Sequence, residues 1–273
     1  MNSPKLVSVV VAIYQDIDAL ELILLSLYNQ SYRDNYEVII AEDGQSEKVK
    51  NFVDTLSYKN LIHTNQQDIG WQKNKSLNNA VRHSSGDLII FLDGDCVPYS
   101  NLIENYVALC ADKTVLCGRR VELGEKFSFE LRSKNRSLKS IENNYIKLVY
   151  KLLKDKCRHY EEGIIFSQYF YRLKHKNKQA HILGCNFAIN RADLYAINGF
   201  NEEYIWPSIG EDVDIEYRLT NIGCKLLTVR NRCNTLHLYH EYKYDEVSNQ
   251  KSRAVLNRVK MDKEFICKKG LSP

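Results

Sequence analysis

Short apolar runs alternate with helical patterns along about the first 120 residues of the chain. Residues 6–13 form a largely β-branched run, which is typical of a strand buried on both faces of a sheet. A helix-spaced apolar pattern follows, and Asp16 is predicted to cap that helix. The further predicted elements are strands at 38–40, 61–62 and 88–92 and helices at 47–56 and 72–82. This alternation predicts an α/β fold with a Rossmann-like, mostly parallel sheet covered by helices.

The rest of the chain divides into three segments. Residues 126–178 are basic and aromatic with helical spacing, and we interpret them as a helical insertion. Residues 180–241 return to strand and helix patterns. The elements predicted there are strands at 181–190 and 225–230 and helices at 191–197 and 210–223. We expect residues 1–245 to form one domain, with its nucleotide-binding half at 1–120, and residues 246–273 to form a C-terminal tail that is helical to about residue 269.

The composition indicates how large a core the chain can bury and in which cellular compartment we expect it. A chain of 273 residues with 44% hydrophobic residues is long enough to bury one large core. No apolar run reaches the roughly 18 residues that a membrane span needs, and the first residues lack the apolar stretch of a signal peptide. We therefore expect a cytoplasmic protein. The eight cysteines include no CxxC pair, which favours free buried thiols over a zinc module or a disulfide scaffold.

Candidate chemistry begins where the predicted strands end. In open α/β sheets, ligands bind beyond the carboxyl ends of the strands. Tyr14, Asp43 and Asp68 follow the first three predicted strands, and Asp93-Gly94-Asp95 follows the fourth. Paired carboxylates suit Mg²⁺ or Mn²⁺, and Gly94 would let the backbone approach a phosphate closely. A turn capped by aspartates is the structural alternative for this tripeptide.

A second candidate lies at Glu211 and Asp212, at the start of the predicted helix at 210–223. A carboxylate at a helix N-terminus is stabilised by the helix dipole, so capping alone explains one acid. Two consecutive acids followed by Asp214 exceed that need. We predict that Asp212 is a general base that takes a proton from an attacking hydroxyl group, and that Glu211 binds substrate hydroxyls.

His237 and His240 form the third candidate, in a loop or turn expected after the last strand. Two histidines three residues apart can converge on one metal ion if the segment is turned, and Mn²⁺ accepts imidazole beside carboxylates. Structural histidines with satisfied hydrogen bonds are the alternative. A zinc hydrolase is disfavoured, because no glutamate of the HExxH kind lies between them.

Six segments in this order resemble bacterial family-2 glycosyltransferases. They are IIAEDG, WQKNKSLN, GDLIIFLDGDCVP, GCNFAINRADLYAINGF, GEDVDIEYRL and HLYH. The likeness runs from about residue 6 to residue 241 and is strongest to the chondroitin-polymerase-like branch, with a second half that also resembles β-1,4-galactosyltransferases. It implies a GT-A fold and an inverting, metal-dependent transfer of a sugar from a UDP-sugar, in bacterial polysaccharide or lipopolysaccharide synthesis. Mn²⁺ or Mg²⁺ is the implied cofactor, and the acceptor is a glycan or a polyprenyl-linked molecule.

The resemblance also implies roles for residues on the nucleotide side of the site. Asp43 would contact the uracil, and the backbone from Ala12 to Tyr14 would line the base and ribose. Lys75 would meet the uridine or the diphosphate, and Asp93 the ribose or the donor sugar. Relatives often have Arg-Asn where this chain has Lys75 followed by serine, and lysine supplies a point charge in place of a forked guanidinium.

On the metal and acceptor side, the resemblance implies that Asp95 and His240 bind the metal, with His237 as the weaker candidate. Asp212 would be the catalytic base, and the turn at 184–186 would lie against the donor sugar. Relatives often carry Trp-Gly-Gly before the paired acids, where this chain has residues 206–210 with the sequence WPSIG. That loop shapes the sugar pocket, so the sequence leaves the donor sugar open.

The basic insertion is consistent with three interpretations. It is either a solvated helical face, a lid that docks the enzyme on an anionic membrane surface bearing the acceptor, or a nucleic-acid-binding surface. Nucleic acid is disfavoured because no nucleic-acid-binding module accompanies the charge. The second interpretation would make the protein peripheral on the inner face of the cell membrane.

Two other functions are weighed against sugar transfer. A sugar nucleotidyltransferase would need a glycine-rich basic loop after the first strand, and residues 12–18 contain neither glycine nor a base. A non-catalytic partner subunit would be expected to have lost the metal-binding or base carboxylates. The chain retains both.

Overall fold

The computed structural model describes residues 4–33, 35–175, 178–207, 211–241 and 245–272. Its strands are β1 (Val7–Ile13), β2 (Tyr36–Glu42), β3 (Leu61–Thr64), β4 (Leu88–Asp93), β5 (Cys96–Pro98), β6 (Thr114–Cys117), β7 (Arg119–Glu122), β8 (Asn186–Asn190), β9 (Lys225–Thr228) and β10 (Asn234–His237). Its α-helices are α1 (Ile17–Leu27), α2 (Glu47–Asp54), α3 (Lys73–His83), α4 (Leu102–Leu109), α5 (Glu125–Arg132), α6 (Leu138–Lys154), α7 (Gln168–His175), α8 (Arg191–Ala196), α9 (Glu211–Asn221) and α10 (Glu246–Met261).

The main sheet has seven strands in the order β3-β2-β1-β4-β8-β6-β9. Strand β8 runs antiparallel to β4 and β6, and the other neighbouring strands are parallel. The predicted α/β class with a mostly parallel sheet is therefore confirmed. Helices pack on both faces, because alternate side chains of β1 enter two different cores: Val9 and Val11 lie in one, and Val10 lies in the other.

A second sheet has three strands in the order β5-β10-β7. Strand β10 pairs antiparallel with β5 and parallel with β7. The prediction of a loop or turn at His237 was wrong in this respect, since His237 is the last residue of β10 and pairs with Cys96. This pairing brings His237 beside the residues that directly follow β4.

Several element boundaries differ from those predicted. The strand expected at 181–190 is restricted to β8, since residues 181–183 are irregular and residues 184–185 form a turn. The insertion contains α5, α6 and α7, and α6 packs into the core through one face. The eight cysteines are free. Within the described residues, no helix is long and apolar enough to cross a membrane.

The C-terminal tail is helical only as far as Met261, not to residue 269. Lys263 adopts a left-handed backbone conformation with φ of 52°, which ends the helix. The chain then runs back along the main body, where the Leu271 N–H donates to the Asn198 carbonyl at 2.9 Å. The Arg82 guanidinium donates to the carbonyls of Gly270 and Leu271 at 2.6 and 2.9 Å. The tail therefore forms part of the core structure.

Candidate active site

A cleft of about 680 Å³ opens at the carboxyl ends of β1, β2 and β4. It brings together most of the residues that the sequence indicated. Those among its lining residues are Ala12, Tyr14, Asp43, Asp93, Gly94, Asp95 and His240. Side chains separated by more than two hundred residues along the chain therefore face one space, as expected for the edge of a doubly wound sheet.

Asp43 is a buried carboxylate held in one orientation at the base of the cleft. One of its oxygens accepts a hydrogen bond from the Gln66 amide at 2.8 Å, and the other accepts one from the Gln72 backbone N–H at 2.7 Å. The Asp43 N–H itself donates to the Ile13 carbonyl at 3.0 Å. Gln66 and the residue before α3 thus hold the Asp43 carboxylate, and strand β1 holds its backbone, before any ligand arrives.

Asp95, His237 and His240 form a cluster at one end of the cleft. The imidazole Nε2 atoms of His237 and His240 lie 3.2 and 3.4 Å from one Asp95 oxygen, and one potential ligand atom from each residue falls within 4.8 Å of the others. Burial by itself raises the pKa of the Asp95 carboxyl, but hydrogen bonds from both imidazoles outweigh it and hold that pKa well below its usual range. The hydrogen bond with Asp95 raises the pKa of His240.

Backbone pairing explains why these three residues meet. Asp95 lies between β4 and β5, and β10 pairs with β5 so that the Leu238 N–H donates to the Asp95 carbonyl at 2.8 Å. One carboxylate and two imidazoles form a donor set that Mn²⁺ accepts in proteins. His237 is buried, and His240 is exposed toward the cleft, where a diphosphate could reach the same ion. The residues present therefore fit a divalent metal ion.

Lys73, not Lys75, is the lysine in the cleft. The Lys73 ammonium lies 2.7 Å from a carboxylate oxygen of Asp93 and lines the cleft, whereas Lys75 is exposed and lies outside the lining. The two positions differ by roughly 200° around α3, because each residue advances the helix by about 100°. The predicted residue therefore lies on the helix that borders the cleft, but on a face of that helix directed away from it.

Asp212 lies in the first turn of α9, next to the turn that precedes β8. A Cβ placed on Gly184 would be 3.7 Å from the Asp212 Cβ and 4.0 Å from the Lys73 ammonium. Burial raises the pKa of Asp212, and the positive charge of Lys73 and the Val213 and Gly184 backbone amides oppose that rise. The side chain of Glu211 lies outside the described part of the structure, as do residues 208–210.

Asp214 has a structural role, so it does not add to the count of candidate catalytic acids. Its carboxylate is fully buried and pairs with the Arg218 guanidinium at 2.8 Å. Arg218 also donates to the carbonyls of Ile197 and Gly199, at 2.8 Å each. The pair fixes α9, and with it Asp212, against the turn after α8.

Sequence reasoning missed two further features of the cleft. Arg132, at the end of α5 in the insertion, lines the cleft. Its guanidinium forms a bidentate salt bridge with the Asp16 carboxylate, with both hydrogen bonds at 2.8 Å. Asp16 does cap α1 as predicted, since it accepts from the Ala19 N–H. Gly94 is required by packing in addition to any ligand, because a Cβ there would lie 2.5 Å from the Ala12 carbonyl oxygen. No sequence pattern marks Arg132 as a cleft residue.

Comparison with protein families gives two matches. Residues 8–196 match the family described as glycosyl transferase family 2, and residues 165–242 match the one described as the N-terminal domain of galactosyltransferase. A chondroitin synthase of Escherichia coli is 26% identical over 242 residues, which are 81% of this chain and 33% of that protein. This chain thus spans about a third of the length of that relative.

Solved structures share the fold. A mannosyltransferase from Pyrobaculum calidifontis, in complex with GDP-Man and Mn²⁺, superposes with a TM-score of 0.55 over 89% of this chain and 59% of its own, at 17% identity. GalNAc-T7 with UDP, GalNAc and Mn²⁺ superposes with a TM-score of 0.64 over 95% of this chain and 48% of its own, at 15% identity. At such identities the likeness shows the GT-A fold alone.

Proposed function

Since the chain belongs to glycosyl transferase family 2, we propose that it transfers a sugar, with inversion, from a UDP-sugar to a hydroxyl group of a glycan or polyprenyl-linked acceptor. The observation that carries this proposal is the Asp95, His237 and His240 cluster at the end of a cleft that also contains Asp43. The product that we propose is a bacterial polysaccharide or lipopolysaccharide, and the likeness to a chondroitin synthase supports that choice. The proposed location is the cytoplasm, at the inner face of the membrane.

The nucleotide would lie along the edge formed by β1, β2 and β4. Asp43 would bind the uracil, because its two oxygens each hold one hydrogen bond and retain lone pairs for another. The backbone from Ala12 to Tyr14 would line the base and ribose. Asp93 would bind the ribose or donor sugar while held by Lys73, and we assign to Lys73 the diphosphate contact expected of Lys75.

A divalent ion, Mn²⁺ or Mg²⁺, would be held by Asp95 and His240, with His237 as the third ligand, and would supply Lewis-acid stabilisation to the diphosphate. Asp212 would accept the proton of the acceptor hydroxyl as its oxygen forms a bond to the anomeric carbon. The bond from that carbon to the diphosphate oxygen breaks on the opposite face, and UDP leaves with the electron pair. The raised pKa of Asp212 suits a general base, which must bind a proton during the reaction.

The proposal is tested by measuring UDP release from a panel of UDP-sugars, with glycan and polyprenyl-linked acceptors, in Mn²⁺ and then in EDTA. We expect turnover of one donor that disappears with EDTA and in the Asp95→Asn variant. Asp54→Asn, a surface substitution on α2, is the matched control and should retain wild-type activity. Turnover that survives both EDTA and Asp95→Asn would contradict the metal site. UDP binding without turnover of any donor would indicate a non-catalytic subunit.

A further inference from the structure

Helix α6 is apolar on two faces. Its inner face is buried in the core, through Ile141, Tyr145, Leu148 and Leu152. On the other side, Ile146, Tyr150 and Leu153 are 74%, 66% and 48% exposed, at a spacing of four and three residues that places them in one stripe. A surface helix of a globular protein normally has a single apolar stripe, which faces the core. The second stripe is therefore not buried against the core of the described chain and remains largely exposed to solvent.

The charges beside this stripe all have one sign. Lys147, Lys151 and Lys154 are exposed along its border, and the Lys154 ammonium lies 4.6 Å from the centre of the Tyr150 ring. Glu142 is the one acidic residue of α6, and its carboxylate accepts bonds from the Ser100 N–H and hydroxyl at 2.8 and 2.6 Å. We use the name outer face of α6 for the three exposed apolar residues together with the three lysines.

We propose that the outer face of α6 docks on a membrane surface that contains anionic lipids. An apolar stripe with an aromatic residue, flanked by lysines, suits the boundary between headgroups and acyl chains. A protein partner fits less well, because lysine is depleted at protein interfaces. Helix α7 carries the same combination, with exposed Tyr169, Phe170 and Leu173 and no acidic residue. The surface deepens the proposed function by bringing the enzyme to a lipid-linked acceptor, and the docking itself depends on no catalytic step.

The test is cosedimentation of the protein with vesicles of roughly one part phosphatidylglycerol to two parts phosphatidylcholine, and with vesicles of phosphatidylcholine alone. We expect binding to the anionic vesicles that weakens as salt is raised, because screening shortens the range of the attraction. Each lysine near such a surface strengthens binding roughly fivefold, so replacing all three by serine should weaken it about a hundredfold. Replacing the three apolar residues by serine should abolish the binding that remains at high salt.

Two control variants carry serine substitutions at exposed residues elsewhere. Val247→Ser with Met261→Ser alters two residues of α10 that are 59% and 82% exposed. Serine at Lys5, Lys48 and Lys225 removes three other exposed lysines. Both controls should bind the vesicles as the wild type does. Equal binding to both kinds of vesicle, or wild-type binding by both outer-face variants, would overturn the proposal. So would self-association through α6 without vesicle binding.

Release of UDP from the donor in detergent-free solution separates this proposal from the enzymatic one. If the outer-face variants release UDP as the wild type does but no longer bind vesicles, docking and chemistry are independent and both proposals stand. If wild-type protein binds anionic vesicles and turns over no UDP-sugar, only the proposed reaction fails.

Discussion

At the scale of single residues, Lys73 and Lys75 form a matched pair within one helix. Lys73 is held at 2.7 Å from Asp93 inside the cleft, whereas Lys75 is exposed outside it. We expect Lys73→Ala to lower kcat/KM for the donor roughly tenfold to a hundredfold, since hydrogen bonds to charged groups contribute about 1.5 to 3 kcal/mol. Lys75→Ala should leave kcat/KM within about twofold of the wild type. Equal losses in the two variants would argue against the cleft assignment.

Asp212 predicts a pH dependence for the reaction. Burial raises the pKa of this carboxyl, and only the deprotonated form can accept the proton of the acceptor. Activity is therefore present above the raised pKa and is lost as pH falls through it, at a higher pH than for an ordinary aspartate. Because Lys73 lowers the pKa of Asp212, Lys73→Ala should move this acid limb to higher pH. Profiles of log kcat against pH for the wild type and for Lys73→Ala measure the shift of the acid limb.

The base assignment itself is tested by Asp212→Asn. The amide keeps the size of the side chain and cannot take a proton, so kcat should fall roughly a hundredfold to ten-thousandfold while UDP affinity stays near that of the wild type. Calorimetric titration of the wild type and of Asp212→Asn with UDP measures binding separately from the chemical step. An unchanged kcat would remove Asp212 from the role of base.

The sequence predicted which types of residue form the site better than it predicted where their side chains point. Asp95, His237 and His240 were identified because carboxylate and imidazole side chains are unusual enough to be noticed at a strand end and in a short motif. Lys75 was chosen instead of Lys73 because it stands where relatives have Arg-Asn, and a motif likeness does not report which face of the helix meets the cleft. Arg132 could not be found at all, since its position depends on how the insertion folds back to reach Asp16.

At the scale of elements, α9 is fixed by the buried Asp214 and Arg218 pair. Arg218→Met would leave the Asp214 carboxylate buried without its partner, together with two backbone carbonyls. We expect a loss of about 3 to 5 kcal/mol in the free energy of unfolding, measured by urea titration. Arg253→Met, on the exposed surface of α10, is the matched control and should change stability by less than about 0.5 kcal/mol. A loss at Arg218 as small as that of the control would mean that the Asp214 and Arg218 pair contributes little to the stability of the fold.

The long buried strands and the short strands β3 and β9 were predictable from the sequence, whereas β5, β7 and β10 were not. The β-branched run of β1 and the apolar run of β4 are sufficient to identify both. Strands β5, β7 and β10 contain three or four residues each and gain their hydrogen bonds from partners distant in the chain. A pattern within so few residues cannot report such pairing. The cluster of Asp95, His237 and His240 depends on it, because β10 carries His237 to Asp95.

At the scale of the whole molecule, the insertion links the two proposed contacts of the enzyme. Its first helix, α5, ends in Arg132, which lines the cleft, and its second helix, α6, carries the outer face that we propose to meet the membrane. Between them, the inner face of α6 is packed into the main core. A rigid connection of this kind would hold the cleft at a fixed position relative to a membrane-bound acceptor.

The tail gives the last prediction, because it closes the core on the side of the molecule that holds α3, α8 and α9. Leu271 is buried there, and its side chain lies so close to Gly199 that a Cβ on the glycine would be 2.5 Å from it. Leu271→Ala should therefore cost about 2 to 4 kcal/mol in the free energy of unfolding. A chain ending at Met261 should lose more, since the backbone bonds to Asn198 and Arg82 disappear as well. Urea titration of both variants measures the losses, with Lys268→Ala as an exposed control in the same segment. If the shortened chain unfolds at the same urea concentration as the full chain, the tail does not stabilise the fold. If the shortened chain unfolds at a lower urea concentration, the domain at 1–245 that the sequence predicted needs the residues after it for its full stability.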